Sequence, residues 1–496
     1  MLDIKAAETV DKADVEAVNA KPRREMYVAR QKIHPKRAHG TFRRIKWIVM
    51  AVTLAIYYGV PWLRWDRGPF MPDQAVLIDI PERRFFFFFL EIWPQEFYFV
   101  AGLLILAALI LFLATSIAGR VWCGYACPQT VWTDLMLVVE RWVEGDRAAR
   151  IRLDKAPTTA SKVRKRITKH AIWLLIAMLT GGAWVFYFGD APTLAVDLVT
   201  GDAPIVAYTT IAILTATTYL LGGLAREQVC TYMCPWPRIQ GAMIDDESLM
   251  VSYRDWRGEP RGHHRKDESW EGRGDCIDCK QCVVVCPMGI DIREGPQLEC
   301  INCALCIDAC NDVMSKVGRP PNLIAYDSFR GLEAAQNGQP EKAGRIRLIR
   351  PRTLIYAGLI AAVGLAMLVA LLLRSELEIS VLRDRNPLYV TLADGSIRNG
   401  YTLHVLNKTH EPMDVRIRVE GHPAATLSLL DQPATGFTLD PNDLSNVRAF
   451  VVLPRDAVEA AMAAGDTVLD IAFTAASADG SHEVRNSTTF RLPERR

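Results

Sequence analysis

Two closely spaced groups of cysteines constrain this chain more than any other feature. Residues 276–287 read C-I-D-C-K-Q-C-V-V-V-C-P, and residues 300–310 read C-I-N-C-A-L-C-I-D-A-C. Each group has the spacing C-x2-C-x2-C-x3-C, which is typical of bacterial ferredoxins that hold two [4Fe–4S] clusters. In such proteins three thiolates bind one iron–sulfur cube and the fourth reaches the other cube. The spacing therefore predicts one cluster bound by Cys276, Cys279, Cys282 and Cys310, and a second bound by Cys300, Cys303, Cys306 and Cys286.

The alternative interpretation of these cysteines is a pair of zinc sites, which also use C-x2-C pairs. Zinc needs four ligands at each site and gives no reason for a doubled four-cysteine run. All twelve cysteines have a partner within four positions, and such clustering indicates metal binding in a reducing compartment. The formal net charge is only +2, so the composition gives no indication of nucleic-acid binding.

Five apolar stretches predict transmembrane helices. A bilayer with a hydrocarbon thickness of roughly 30 Å requires about 20 residues of helix. The stretches run approximately over Trp47–Leu63, Phe97–Ala118, Ala171–Gly189, Ala203–Ala225 and Thr353–Leu373. Buried core helices of a soluble protein are the alternative, but five uncharged runs near spanning length favour a membrane bundle.

The distribution of lysine and arginine predicts how this bundle is oriented. Basic residues precede the first predicted span, follow the second and precede the fifth, whereas the segment between spans three and four contains none. The positive-inside rule then places the N-terminus and all the cysteines in the cytoplasm of a bacterium. Residues after Leu373 are expected in the periplasm, on the other side of the inner membrane.

The other cysteines lie in a repeated motif, C-x-Y-x-C-P. It occurs at Cys123–Pro128 and at Cys230–Pro235, each time just after a predicted span. A repeat of two spans and one motif would pack about an axis normal to the membrane. That packing would bring together Cys123, Cys127, Cys230 and Cys234. Four thiolates suit Cu(I), zinc or an iron–sulfur cube, or they cycle between dithiol and disulfide. Buried thiols with a structural role at a helix end are the remaining alternative.

After Arg374 the pattern changes to short stretches of period two separated by turn residues. Such stretches predict β-strands. They are Leu377–Leu382, Tyr401–Leu406, Met413–Val419, Ala425–Leu430, Val447–Leu453, Val468–Thr474 and Val484–Leu492. About seven short strands in this length fit an immunoglobulin-like sandwich.

The sequence thus predicts a multi-domain chain: a bundle of five transmembrane helices, an inserted two-cluster ferredoxin-like domain, and a C-terminal all-β immunoglobulin-like sandwich. The predicted segments are a basic cytoplasmic N-terminal segment (1–46), a membrane domain with four helices and both C-x-Y-x-C-P motifs (47–250), the ferredoxin domain (251–345), a fifth transmembrane helix (346–374) and the periplasmic sandwich (375–496).

The order of these features resembles the CcoG/FixG/RdxA family of accessory proteins of cbb3-type cytochrome c oxidase. The resemblance covers nearly the whole chain past residue 40. It implies a role in oxidase biogenesis as a cupric reductase that supplies Cu(I) for the oxidase copper centre. The eight ferredoxin cysteines would hold the clusters, and Cys123, Cys127, Cys230 and Cys234 would be the candidates for copper handling. Cu(I) would then pass to the oxidase assembly machinery or to a separate copper chaperone or exporter.

Two other functions fit the same sequence features. One is a quinol-linked electron-transfer subunit of the NapH/NosR type, in which similar motifs are paired. The other is a non-catalytic assembly scaffold whose clusters are structural. No G-x-G-x-x-G motif follows a strand, so no flavin or nicotinamide site is predicted. The electron donor is therefore expected to be another protein or a quinol.

Overall fold

The computed structural model describes residues 12–13, 15–18, 31–68, 71–264, 269–430, 432–433 and 436–493. The chain forms two compact units. One consists of Met1–Trp65 and Gln74–Met367, and the other of Asp66–Asp73 and Leu368–Arg496. All twelve cysteines lie in the first unit.

Nine α-helices form the N-terminal part of the first unit within the described residues. They are α1 (Thr41–Gly59), α2 (Tyr98–Ala118), α3 (Val121–Tyr125), α4 (Pro128–Glu144), α5 (Arg147–Lys155), α6 (Ala160–Val185), α7 (Ala191–Thr200), α8 (Ile205–Thr218) and α9 (Trp236–Met243). Helix α8 continues directly as a π-helix over Tyr219–Ala225, and a second π-helix spans Val229–Met233. A three-stranded antiparallel sheet of β1 (Val76–Asp79), β2 (Arg84–Phe87) and β3 (Leu90–Ile92) lies between α1 and α2 in the sequence.

Four helical segments of the described chain are long and apolar enough to cross a membrane, one fewer than the five predicted. The four segments are Thr41–Trp62, Pro94–Ala118, Ile205–Ala225 and Pro351–Leu372, the last of which is helix α14. The predicted third span, Ala171–Gly189, falls in α6, which ends at Val185. The N-terminal part of α6 is rich in Lys and Arg, which leaves residues 171–185 as its apolar part, about 22 Å of helix. Because the predicted orientation counts five crossings, the side of the membrane on which each domain lies stays a prediction.

The ferredoxin region consists of two similar halves joined by a small sheet. Its elements are β4 (Met250–Tyr253), α10 (Asp255–Gly258), α11 (Gln281–Val285), α12 (Leu305–Lys316), β5 (Ile324–Asp327) and α13 (Phe329–Gln336). Strands β4 and β5 pair antiparallel, with Val251 opposite Tyr326. In each half a cysteine-rich loop leads into a helix, α11 in the first half and α12 in the second. Both helices carry apolar residues into one buried core.

The second unit contains a β-sandwich. Its strands are β6 (Leu377–Arg383), β7 (Val390–Thr391), β8 (Ile397–Asn407), β9 (Met413–Glu420), β10 (Thr426–Leu429), β11 (Phe437–Leu439), β12 (Leu444–Leu453), β13 (Val468–Ser477) and β14 (Glu483–Arg491). One sheet has the order β10-β12-β8-β6 with β7 paired to β8, and the other has the order β11-β9-β13-β14. A short helix, α15 (Arg455–Ala463), follows β12.

The sandwich confirms the predicted all-β domain and all seven predicted strands. Burial alternates along β8, where Tyr401, Leu403 and Val405 are fully buried. Such alternation is expected when one face of a sheet packs on a core. Strands β7 and β11 were not predicted, because two and three residues are too short to establish a period of two.

Candidate metal centre

Two cavities in the ferredoxin region separate the eight cysteines into two sets. One cavity is lined by Cys276, Cys279, Cys282 and Cys310. The other is lined by Cys286, Cys300, Cys303 and Cys306. These are the two crossed sets that the spacing predicts, and Cys282 also borders the second cavity, so the cavities are neighbours. The residues therefore fit two adjacent iron–sulfur cubes with four thiolates each.

The loops that carry the first cysteines of each set have matching backbones. In the first loop Asp278 and Lys280 have positive φ angles of 51° and 55°, and in the second loop Asn302 and Ala304 have 54° and 58°. These residues occupy equivalent positions relative to the first cysteine of each run. Left-handed residues are costly unless the surrounding structure requires them. The repeated conformation indicates that both loops wrap around objects of the same shape.

Burial makes the cluster cysteines poor thiolates on their own. It raises the pKa of Cys286 and of Cys310 to about 12, and that of Cys300 to about 11. A buried thiol of this kind stays protonated at neutral pH until a metal replaces its proton. These cysteines are thus poorly suited to act as free redox thiols.

The two C-x-Y-x-C-P motifs have the same local design. Cys123 lies in the short helix α3 and Cys127 directly precedes Pro128, the first residue of α4. Proline is favoured at this helical position because its missing N–H would have no partner there. In the second motif Cys230 lies in a π-helix, and Cys234 is followed by Pro235, which caps α9.

The four thiols of these motifs form one electrostatic group. Burial raises the pKa of Cys123 to about 12, and Cys127, Cys230 and Cys234 add to the effect. The pKa of Cys230 also rises to about 12, first through burial and then through Cys127 and Cys234. The structure thus brings the two motifs together, as the internal repeat predicts. Among the residues that the structure describes, no three Cys, His, Asp or Glu side chains are arranged to hold a single metal ion.

The first C-x-Y-x-C-P motif packs directly against the loop that carries Cys300, Cys303 and Cys306, the second cysteine set. A Cβ atom on Gly124 would lie 2.6 Å from the carbonyl oxygen of Ile301, so only glycine permits this approach. The hydroxyl group of Tyr125 donates a hydrogen bond to the carbonyl oxygen of Cys303 at 3.2 Å. The loop that binds one cluster and the motif that holds Cys123 are therefore in contact.

Arg120 joins the same two regions. Its guanidinium group donates to the carbonyl oxygen of Cys300 at 3.3 Å and to that of Pro237, just inside α9, at 2.9 Å. Burial lowers the pKa of Arg120, while the thiols of Cys300 and Cys123 oppose that change. Arg120 is thus close enough to interact electrostatically with Cys300 of the ferredoxin region and with Cys123 of the first C-x-Y-x-C-P motif.

The two motifs differ in exposure. Cys123 is buried, and its thiol donates to the amide oxygen Oε1 of Gln240 at 3.0 Å. In the second motif the side chains of Tyr232 and Met233 are 66% and 63% exposed. The first motif therefore faces the ferredoxin region, and the second is the more accessible of the two. Gln240 could not be identified from the sequence, because a single glutamine outside any motif carries no signal.

A buried network of ion pairs around Glu140 supports the segments next to the two C-x-Y-x-C-P motifs. Glu140 of α4 is fully buried, and its carboxylate lies 3.0 Å from Arg150, 3.0 Å from Arg226 and 3.6 Å from Lys169. Burial by itself would raise the pKa of Glu140, but Arg226, Arg150 and Lys169 outweigh it and lower the pKa to about 2. The network fixes Arg226, which precedes the second motif by four residues.

Three protein families match parts of this chain. A family described as "4Fe-4S dicluster domain" matches residues 225–329. A family described as "4Fe-4S binding domain" matches residues 100–144, which contain Cys123 and Cys127. A family described as an "IG-like fold at C-terminal of FixG" matches residues 367–493.

Relatives of known name match nearly the whole chain. "Nitrogen fixation protein FixG" of Rhizobium meliloti is 55% identical over 483 residues, which cover 91% of this chain and 92% of that protein. "Protein RdxB" of Cereibacter sphaeroides is 57% identical and covers 86% of this chain and 90% of that protein. Among solved structures, a FixG-related protein from Vibrio parahaemolyticus covers 24% of this chain and all of its own, with 19% identity and a TM-score of 0.21.

Proposed function

The chain belongs to the FixG/RdxA family of iron–sulfur redox proteins, and from this premise we propose that it is a membrane-bound electron carrier that reduces Cu(II) to Cu(I) in the biogenesis of a cbb3-type cytochrome c oxidase. In this proposal the two crossed cysteine sets bind two [4Fe–4S] clusters in the cytoplasm. The paired C-x-Y-x-C-P motifs bind the copper ion. The sandwich lies in the periplasm, which requires α6 to cross the membrane in addition to the four candidate spans. The reduced ion leaves for a copper chaperone, an exporter or the oxidase assembly machinery.

The observation that carries the proposal is the contact between the first paired motif and the loop of the second cluster set. Gly124 allows the backbones to approach, and Tyr125 ties the motif to Cys303. When bound, the clusters supply one-electron transfer. Each Cu(II) ion takes one electron and becomes Cu(I), and no proton is gained or lost in that step.

The chemistry of the four thiols supports copper as the acceptor. Thiolates favour Cu(I) over Cu(II), which prefers nitrogen and oxygen ligands. Four thiols near a cluster loop would therefore favour reduction and would retain the product. Since Tyr232 and Met233 are exposed, the second motif offers the side from which an ion could enter and leave.

One observation favours a second role for the same thiols. The family that matches residues 100–144 is described as a 4Fe-4S binding domain, and the cysteines in that range are Cys123 and Cys127. The alternative is therefore that Cys123, Cys127, Cys230 and Cys234 hold a further iron–sulfur cluster and pass electrons onward.

The test is a single-turnover reaction with anaerobically purified protein. The clusters are reduced with dithionite, the excess is removed, and Cu(II) is added while cluster oxidation and Cu(I) formation are recorded together. Native protein is compared with Cys→Ser variants at positions 123, 127, 230 and 234. Thr231→Ala serves as the matched control, because it changes the second motif without removing a thiol.

The proposal requires Cu(I) to appear in step with cluster oxidation in native protein and in Thr231→Ala, and to be lost in the serine variants. If the clusters stay reduced after Cu(II) is added, copper is not the acceptor. If the serine variants instead lose iron and part of the cluster spectrum, the four thiols hold a cluster.

A further inference from the structure

A groove of about 800 Å³ lies on the surface of the helix pair α6 and α8. Its walls are mainly apolar and include Leu175, Met178, Ile211 and Leu220. Because the α8 segment is a candidate membrane span, an occupant of this groove would have to be soluble in the bilayer.

One end of the groove is polar. The hydroxyl group of Tyr219, which lines the groove, is 2.9 Å from Nδ1 of His170. Thr215, one turn earlier on α8, also lines the groove, and its hydroxyl oxygen has no hydrogen-bond partner among the described residues. A long apolar groove that ends in a phenol–imidazole pair matches a molecule with an apolar tail and a hydroxylated ring.

The helix changes its winding at this same point. The α-helix α8 becomes a π-helix beginning at Tyr219, and such transitions are frequent at functional sites. Gln129 of α4 compensates for the altered backbone by donating to the carbonyl oxygens of Leu221 at 2.8 Å and Arg226 at 3.1 Å. The irregular segment is therefore held in place by side chains, and is not a frayed helix end.

A continuous series of contacts leads from Tyr219 to the cysteines. The ring of Trp173 lies 5.3 Å from that of His170 and 6.5 Å from that of Tyr219. The guanidinium group of Arg226 lies 5.3 Å from the centroid of the Trp173 ring. Arg226 and Cys230 then line one cavity, together with Ile301 of the second cluster loop.

We propose that this groove binds a membrane quinol and that the quinol is the electron donor of the protein. The inference rests on the proposed function, because that function says where the electrons go after they reach the clusters. Oxidation of one quinol to quinone breaks two O–H bonds and releases two electrons and two protons. The two oxidised clusters take one electron each. Tyr219 accepts the first proton while passing its own to Nδ1 of His170, and the second proton goes to water at the membrane surface.

The test uses the full chain with its clusters, in lipid nanodiscs under anaerobic conditions. Decylubiquinol and menaquinol-4 are added separately, and the rate of cluster reduction is followed by visible absorbance. Quinol binding is measured in parallel by titration calorimetry, so that affinity and rate are separated. Tyr219→Phe removes only the hydroxyl group at the polar end of the groove.

The matched control is Tyr187→Phe. Tyr187 does not line the groove, and its hydroxyl group donates to the backbone carbonyl oxygens of Ile56 and Tyr57 at 3.3 and 3.0 Å. We expect at least one of the two quinols to reduce the native protein and the control at equal rates. Tyr219→Phe should be slower by at least about 100-fold, the lower end of the range for loss of a proton-transfer group.

Each outcome decides the inference. If neither quinol reduces the native clusters, or if Tyr219→Phe and Tyr187→Phe behave alike, the groove is only a lipid-facing surface. Dithionite reduction and the copper reaction are measured on every variant and are expected to be unchanged. Failure of the copper reaction in the native protein would refute the proposed function, whereas failure of quinol reduction alone would refute the donor.

Discussion

Replacing Glu140 by glutamine would remove the negative charge that three cations share. Arg150, Lys169 and Arg226 surround its carboxylate, and the side chains of all four residues are less than one-tenth exposed. Glutamine preserves the size and shape of the side chain but cannot neutralise these cations. Lys169 keeps a second partner, since Glu144 lies 2.9 Å from it. The cost should therefore come mainly from Arg150 and Arg226.

The size of the effect follows from the pKa of Glu140. The ordinary value of 4.5 falls to about 2 in the folded protein, a difference that corresponds to about 3 kcal/mol of stability. The mutational cost of breaking a buried pair, about 3–5 kcal/mol, is similar. Because the pKa is depressed on folding, this stability is present above pH 4.5 and is lost as the pH falls toward 2.

The assay is thermal unfolding of detergent-solubilised protein, followed by tryptophan fluorescence. With an unfolding entropy of about 2.1 cal/mol/K per residue, a unit of about 360 residues shifts its Tm by about 1.3 °C per kcal/mol. We therefore expect Glu140→Gln to lower the Tm by about 4 °C at pH 7. The native protein should lose more stability than the variant below pH 4.5, since the variant has no carboxylate to protonate. Glu82→Gln, at an exposed position, is the control and should leave the Tm unchanged.

A double-mutant cycle makes the reasoning refutable. If Glu140 and Arg226 stabilise one another, Arg226→Gln should cost less in the Glu140→Gln background than in the native protein. Strictly additive changes in Tm, or a Glu140→Gln variant as stable as native, would show that the network contributes little to folding.

Three further outcomes are expected. Gly124→Ala should slow Cu(I) formation in the single-turnover assay, because its Cβ would clash with Ile301; Gly182→Ala, where nothing lies within 4 Å, should leave the rate unchanged. Cys286→Ser should lower the iron content from about eight to about four atoms per chain, measured by elemental analysis, if it ligates only one cube. Tyr125→Phe should destabilise the contact with the cluster loop by about 1 kcal/mol, which would be seen as a lower Tm. An unchanged Tm would mean that the hydrogen bond to that loop is not made.

Much of the local structure could be predicted because it is encoded over short distances along the chain. The spacing within residues 276–287 and 300–310 is enough to separate the eight cysteines into two sets, and the two cavities contain the same sets. The alternation along β8 is likewise a property of neighbouring residues. The third predicted span is not among the four candidate spans, because its hydropathy was judged without the charged half of α6 to which it is joined.

The sequence by itself therefore determined which residues could bind clusters, where the sandwich lies and that two cysteine motifs repeat. Only the tertiary structure decided what these parts touch. Tyr125 and Cys303 are 178 positions apart, and Glu140 and Arg226 are 86 positions apart. Periodicity and spacing act over a few residues, whereas such contacts depend on how whole helices pack. The neighbours of the paired thiols and the polar end of the groove were consequently set by packing between distant segments.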